Sequence, residues 1–188
     1  MLNLTFIRHA ETTLNKSGIF CGRTDCDVTS EGLEKAKNLL KDEEKYFDEI
    51  YISPLKRTKQ TLDVIIPNSN PITDERIIEA SLGEWEGKNK SSVSQNLLAL
   101  YRVGKYTPLG ADTPKDVDKR VCSFVESLFG KYKSNERILI VTHNGVMKSI
   151  KRNFIKDYGN IMSKHLEIIT VTNADFEYYL QNKRNRTP

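Results

Sequence analysis

Short apolar runs that end in polar residues alternate along this chain with longer stretches whose apolar positions recur every three to four residues, and this alternation is what most constrains the fold. Residues 2–8, carrying Leu4, Phe6 and Ile7, read as a first strand. Glu49-Ile50-Tyr51-Ile52 reads as a second and Ile138-Leu139-Ile140-Val141-Thr142 as a later one, with a short strand near residues 70–73. Thr29 is placed to cap a helix that runs to about residue 45, with Leu33, Ala36, Leu39 and Leu40 along one stripe. Further helices are predicted over 55–66, stopped by Pro67, over 116–131 through Val117, Val121, Phe124, Val125 and Leu128, and over 146–154. Residues 167–172 and 175–180 alternate β-branched and aromatic side chains, as two edge strands joined at Asn173-Ala174 would, and 182–188 read as a frayed polar tail. The pattern predicts the α/β class, a three-layer α/β/α sandwich around a mainly parallel mixed sheet. At 188 residues the chain fits one domain spanning 1–188, with the irregular stretch 77–114 as a small cap over the sheet edge.

Composition narrows the partners. Apolar residues make up 38% and charged residues 29%, and no apolar run approaches the roughly 20 residues of a membrane span, so no membrane partner is expected. The formal charge of +4 is carried by lysines interleaved with Glu and Asp, without an aromatic and basic platform, which argues against nucleic acid. Met1 leads straight into the first strand with no charged and apolar leader, so the cytoplasm is the expected location. Cys21, Cys26 and Cys122 are odd in number and lack the second pair that zinc spacing requires; free thiols and no metal are expected.

Two imidazoles stand where strands end: His9, after Arg8, and His143, after Thr142. Open α/β sheets bind their ligands at that edge. One such histidine is as well explained by hydrogen-bonded packing. Two of them accompanied by arginines suit a different task, because an imidazole can attack phosphorus and hold the phosphoryl group while cations take up the charge of its oxygens. Arg57 follows Ser53-Pro54, and Glu79 precedes Gly83-Glu84-Trp85-Glu86-Gly87.

Arg8-His9-Ala10-Glu11-Thr12, Ser53-Pro54 with Arg57, Glu79 with its Gly-Glu-Trp-Glu-Gly segment, and Thr142-His143-Asn144-Gly145 together resemble the histidine phosphatase superfamily, which also contains the cofactor-dependent phosphoglycerate mutases. The resemblance runs from about Leu4 to Ser149, in the family's order. It implies a phosphoglycerate mutase-like fold and assigns His9 as the nucleophile that becomes phosphorylated, Arg8 and Arg57 as phosphate ligands, Glu79 as the proton donor to the leaving group and His143 as the second pocket histidine. Asn15 corresponds to an asparagine that contacts the phosphate site. Cys21-Gly22 occupy a loop that touches substrate in related mutases, so Cys21 is either a packed thiol or a contact. Asn144, where the family more often has Gly, tolerates left-handed backbone and is able to donate to a phosphate oxygen. Ala10 also replaces a Gly, which costs little at negative φ and much at positive φ. By residue type Glu84 and Glu86 rival Glu79, and only the family spacing selects among them. Trp85 reads as a packing anchor for the cap, with substrate stacking as the alternative. Asp112, in Gly110-Ala111-Asp112-Thr113, stands one methylene short of the Glu that short phosphatases carry in a similar segment.

The resemblance implies no metal and no cofactor, with arginines in the electrostatic role that magnesium would otherwise play. The stretch between Gly87 and Pro114 is short for a mutase cap. The expected function is therefore hydrolysis of a small phosphorylated metabolite through phosphohistidine on His9, with α-ribazole 5′-phosphate as the named substrate. A bisphosphoglycerate-dependent phosphoglycerate mutase, an inactive phospho-ligand-binding module and a phosphatase of protein phosphohistidine are the alternatives, and the oligomeric state is left open.

Overall fold

The computed structural model describes residues 1–133, 135–159 and 161–186. In chain order its main elements are β1 (Asn3–Arg8), α1 (Thr13–Lys16), α2 (Ser30–Lys37), β2 (Glu49–Ile52), α3 (Lys56–Ile65), β3 (Ile72–Thr73), α4 (Gln95–Arg102), α5 (Pro114–Lys131), β4 (Arg137–Thr142), α6 (Asn144–Phe154), β5 (Ile168–Thr172) and α7 (Asn173–Arg186). The strands form one sheet in the order β3-β2-β4-β1-β5, parallel throughout except for β5, which runs antiparallel to β1. No helix among the described residues is long and apolar enough to cross a membrane.

Strand periodicity sorts the core into two layers. Leu4 and Phe6 of β1 and Ile138 and Ile140 of β4 face Val117, Val121, Phe124, Val125 and Leu128 of α5 and Met147, Ile150 and Phe154 of α6. Ile7, Leu139 and Val141 face the opposite way, onto Ala36 of α2 and Leu62 and Ile65 of α3. Both faces are covered, so β4 is apolar and buried from Ile138 to Val141, as a buried parallel strand demands. Full burial of each such side chain contributes about 1.5–3 kcal/mol. The expected three-layer α/β/α sandwich is the fold.

Local chemistry sets the helix boundaries. Thr29 Oγ1 accepts the Gly32 amide at 3.0 Å, and Thr113 and Asp116 form a reciprocal capping box around Pro114. The helix expected to reach residue 45 stops at Lys37. The Leu39 amide closes onto the Ala36 carbonyl, three residues back, and Asp42-Glu43-Glu44 form their own 3-10 turn, with the Glu44 carboxylate on the Lys41 amide. In a longer helix these three carboxylates would crowd its negative C-terminal end; at the start of a new turn they meet free amides.

A second expectation fails in the last segment. Residues 175–180 are not a strand; they belong to α7, which also takes in 182–186 of the supposed tail, while Thr187 and Pro188 lie outside the described residues. The Asp175 carboxylate accepts both the amide and the hydroxyl of Thr172, at 2.8 and 2.7 Å, and so caps the helix start. Phe176, Tyr179 and Leu180 satisfy helical spacing as well as alternation. Phe176 stacks on Phe129 at 4.1 Å and Tyr179 on Phe154 at 4.5 Å, contacts that only the helical period brings onto α5 and α6.

The 77–114 stretch is more regular than expected. It contains α4, capped by Ser94, and a small core of its own in which Trp85 lies between Phe20, Tyr101 and Tyr106, with ring centroids at 5.2, 5.2 and 5.6 Å. Trp85 is 4% exposed, so it packs and does not offer a face to substrate.

Candidate active site

Parallel pairing of β1 with β4 places Arg8 opposite Thr142, and the next residue along each strand is a histidine. The His9 amide donates to the Thr142 carbonyl at 2.8 Å, and the two imidazoles lie 5.1 Å apart between centroids. His9 Nδ1 is 2.7 Å from the Ala10 carbonyl. A carbonyl only accepts, so Nδ1 carries the proton and Nε2 keeps its lone pair. Burial, reinforced by the charges of Arg57 and Arg8, holds His9 well below the ordinary histidine range, and the same causes lower His143. Both rings are neutral near pH 7. Ala10 has no positive φ, its amide donates to Thr61 Oγ1 at 3.1 Å and its methyl is fully buried, so the exchange of Gly for Ala here carries little cost.

Arg57, 1% exposed, enters from the start of α3. Its Nε donates to His143 Nδ1 at 3.2 Å, Nη1 to the Thr24 carbonyl at 3.1 Å and Nη2 to the Gly22 carbonyl at 2.7 Å. His143 Nδ1 must then accept, so the ring proton sits on Nε2 and goes to the buried Ser53 Oγ at 2.6 Å. Gly22 has φ of +52°, and a side chain there would overlap the Glu86 carboxylate. Glu86 accepts the amides of Leu82 and Thr24 and the Thr24 hydroxyl, which makes it a latch between two loops. Glu84 accepts the Leu109 amide at 3.3 Å.

Glu79 is held differently from these rivals. Its Oε1 accepts the amides of Ala80 and of Gly145, each at 2.8 Å, and so rests on the first turn of α6 directly after His143. A Cβ on Gly145 would overlap that oxygen. Asn144 is an ordinary helical residue, not a left-handed one, and its Oδ1 accepts the Ser163 amide at 3.2 Å.

Arg8 is anchored by Nη1 to the Ser163 carbonyl, while its Nε is buried without a hydrogen-bond partner among the described residues. Nη2, on the same edge of the guanidinium, meets His165 Nε2 at 3.1 Å. His165 Nε2 also meets Asn15 Oδ1 at 3.0 Å. One nitrogen cannot accept from the arginine and donate to the amide oxygen at once. With its proton toward Asn15, His165 leaves the Nε–Nη2 edge of Arg8 open, and that edge fits two oxygens of a tetrahedral anion. Burial and the Arg8 charge lower His165 to about 4. Asn15 closes a capping box with Thr12 and donates Nδ2 to Cys21 Sγ at 3.4 Å; Cys21 is buried there, in the packed position.

The structure thus brings Arg8, His9, Arg57, Glu79 and His143 to one sheet edge, flanked by Asn15, Cys21, Gly22 and Asn144. A rim of charge joins them: Asp112 Oδ2 accepts Arg23 Nη2 at 2.9 Å and the Ser81 amide at 3.0 Å, with Arg120 Nη2 at 3.7 Å. Among the described residues no three His, Cys, Asp or Glu side chains converge as a metal site.

The model of the histidine phosphatase superfamily (branch 1) matches residues 4–181. The chain belongs to this superfamily. Phosphoserine phosphatase 1 of Hydrogenobacter thermophilus is 31% identical over 158 residues, 80% of this chain and 74% of that protein. A 2,3-bisphosphoglycerate-dependent phosphoglycerate mutase of Parabacteroides distasonis is 26% identical over 217 aligned residues, 95% of this chain and 87% of its own. The crystal structure of an Entamoeba histolytica phosphoserine phosphatase mutant in complex with phosphoserine has the same fold, with a TM-score of 0.78 over 90% of each chain at 23% identity. The expected enzyme class, a phosphatase, stands at this level.

In this histidine phosphatase, sequence reasoning missed His165 and Arg120. His165 sits in no periodic pattern. Its signal lies in topology: an antiparallel β5 begins at the end where its neighbour β1 finishes, so the residues leading into β5 fall on the site. Leu166, with φ of +61°, makes the turn that puts His165 there, and its amide donates to the Arg8 carbonyl at 3.1 Å.

Proposed function

We propose that this protein hydrolyses a small phosphomonoester through a phosphohistidine on His9, with the 77–114 segment capping the site, and that it does so without a metal ion. The observation that carries the reading is the Nδ1 bond of His9 to its neighbouring carbonyl, which leaves an unprotonated Nε2 lone pair beside the charges of Arg8 and Arg57. In the first step Nε2 attacks phosphorus, the N–P bond forms as the ester P–O bond breaks, and protonated Glu79 gives its proton to the leaving alkoxide. In the second, water attacks the phosphohistidine, ionised Glu79 takes its proton, and phosphate leaves. Arg8 and Arg57 would neutralise the equatorial oxygens throughout, each charge-assisted bond contributing roughly 1.5–3 kcal/mol.

For the substrate we infer a phosphomonoester with a carboxylate, in the manner of O-phosphoserine. Two relatives that bear the name phosphoserine phosphatase support this, as does the rim, where Arg23 and Arg120 share the carboxylate Asp112 and so present positive charge to a second anionic group. α-Ribazole 5′-phosphate, which has no carboxylate, is the competing substrate. The mutase reading draws on the relative that spans 95% of the chain.

The test is steady-state turnover, with EDTA present, of O-phosphoserine, 3-phosphoglycerate, α-ribazole 5′-phosphate, sugar phosphates and nucleotides. Preferred release of phosphate from O-phosphoserine is expected. Preference for the ribazole ester would overturn the carboxylate inference; isomerisation of 3-phosphoglycerate dependent on 2,3-bisphosphoglycerate would establish the mutase; loss of activity in EDTA that magnesium restores would end the metal-free mechanism.

A further inference from the structure

The loop from Cys21 to Cys26 carries two thiols whose sulfurs lie 3.9 Å apart. The residues between them are not neutral filler, because the Gly22 and Thr24 carbonyls are the acceptors that fix both terminal nitrogens of Arg57. Cys21 Sγ is itself a partner of the site, accepting Asn15 Nδ2 at 3.4 Å and lying 3.7 Å from Thr12 Oγ1, and Asn15 Oδ1 in turn accepts the ring proton of His165. The Arg57 guanidinium is therefore tied directly to the position of this one loop, and His165, which lies beside Arg8, is tied to it through Asn15.

We propose that Cys21 and Cys26 are an oxidative modification site, at which a hydroperoxide closes a disulfide and thereby disarms the phosphate pocket; the second half of this statement rests on the phosphatase reading above. A disulfide requires about 2.0 Å between sulfurs, so Cys21 and Cys26 must approach by nearly 2 Å. The approach pulls Cys21 Sγ off Asn15 and tightens a six-residue ring that contains Gly22 and Thr24. Arg57 then loses the carbonyls that hold it, and Asn15 loses a partner.

The thiols are suited to unequal roles. Cys26 is half-buried and its S–H donates to Cys21 Sγ; on ionisation the Cys21 S–H turns to serve the Cys26 thiolate, which lowers Cys26 to about 6, and that same pairing with burial pushes Cys21 up. The Cys26 thiolate attacks the terminal oxygen of the hydroperoxide, the O–O bond breaks, and the alkoxide leaves as alcohol on taking a proton from solvent, so that Cys26 becomes a sulfenic acid. Cys21 then attacks the sulfenic sulfur; the S–S bond forms, the S–O bond breaks, and the departing hydroxide takes the Cys21 proton to leave as water. Two thiols are oxidised by two electrons in all, and one hydroperoxide is reduced to alcohol and water.

The full-length protein is titrated with hydrogen peroxide and followed by intact mass, peptide mapping and turnover of p-nitrophenyl phosphate. A loss of 2 Da, a Cys21–Cys26 cross-link in the peptide map and a fall in turnover of at least tenfold that dithiothreitol reverses are expected, and Cys26→Ser should keep its activity in peroxide. Absence of that cross-link, oxidation confined to Cys122, or full activity in the cross-linked protein would overturn the proposal. A reduced protein inactive on every phosphomonoester would overturn the phosphatase reading instead, and the mass measurement would still decide whether the disulfide forms.

Discussion

The buried sheet edge and the charged rim above it are built on opposite terms. At the edge, His9, His143 and Arg57 are 3%, 0% and 1% exposed, each polar nitrogen of Arg57 has an acceptor, and the donors and acceptors fix which imidazole nitrogen carries its proton. At the rim, Arg23, Asp112 and Glu86 hold loops together through half-exposed ion pairs and side-chain bonds to backbone amides. A buried polar network cannot lose a member without stranding the others, whereas exposed pairs are worth about 0–1 kcal/mol and can be exchanged. On the proposed mechanism, chemistry belongs to the edge and selection to the rim.

Substitution at the edge should have the largest effect. His9→Ala removes the proposed nucleophile, and turnover of any phosphomonoester should fall by about 10⁴-fold or more while the fold survives, as kinetics and circular dichroism would show. Wild-type rates from that variant would break the assignment. Arg57→Leu strands the Gly22 and Thr24 carbonyls and His143 Nδ1, so a stability loss of roughly 3–5 kcal/mol should accompany the lost activity in denaturant titration. A loss below 1 kcal/mol would mean that the edge tolerates exchange as the rim does.

Gly145→Ala sharpens the comparison within the edge. The new methyl must displace Glu79 from the start of α6, and turnover should drop by about 10²-fold for a poor leaving group and less for p-nitrophenyl phosphate, whose leaving group needs little protonation. Equal losses on both would remove Glu79 from the role of proton donor. At the rim, Asp112→Asn should leave turnover of p-nitrophenyl phosphate within about threefold of wild type and stability within about 1 kcal/mol, while KM for O-phosphoserine shifts. A loss as large as that of Arg57→Leu would erase the distinction.

The buried imidazoles also set a pH dependence. Their protonation is disfavoured in the fold, so below pH 6.5 the unfolded chain binds more protons than the native one. Stability is then complete above that pH and falls as pH drops. Each of His9 and His143 should contribute a slope of roughly 1.4 kcal/mol per pH unit below pH 6.5. His9→Gln should flatten the profile, and an unchanged one would show that His9 is not held neutral by burial.

What was legible in the sequence follows the same division. Residues at the exits of β1 and β4 are read directly, because parallel strands deliver their C-terminal ends to one edge and the apolar runs mark where each strand stops. The roles of Asn144, Gly145 and Glu86 were not legible, since each depends on one close approach between segments far apart in the chain. His165 was hidden by the orientation of β5. The α7 helix was lost because Phe176, Tyr179 and Leu180 fit both periods, and the deciding signal was Asp175 capping on Thr172. The early end of α2 turned on three carboxylates that would have faced the wrong end of a helix dipole.

The most direct test of the central claim is to trap the covalent intermediate. Full-length protein is mixed with a ³²P-labelled phosphomonoester, quenched in alkali within milliseconds and mapped by peptide. The account predicts acid-labile label on His9 alone, absent from His9→Ala and raised in Glu79→Gln when the ester carries a good leaving group and hydrolysis of the intermediate becomes limiting. Turnover without label on His9, or label on any other residue, would contradict it.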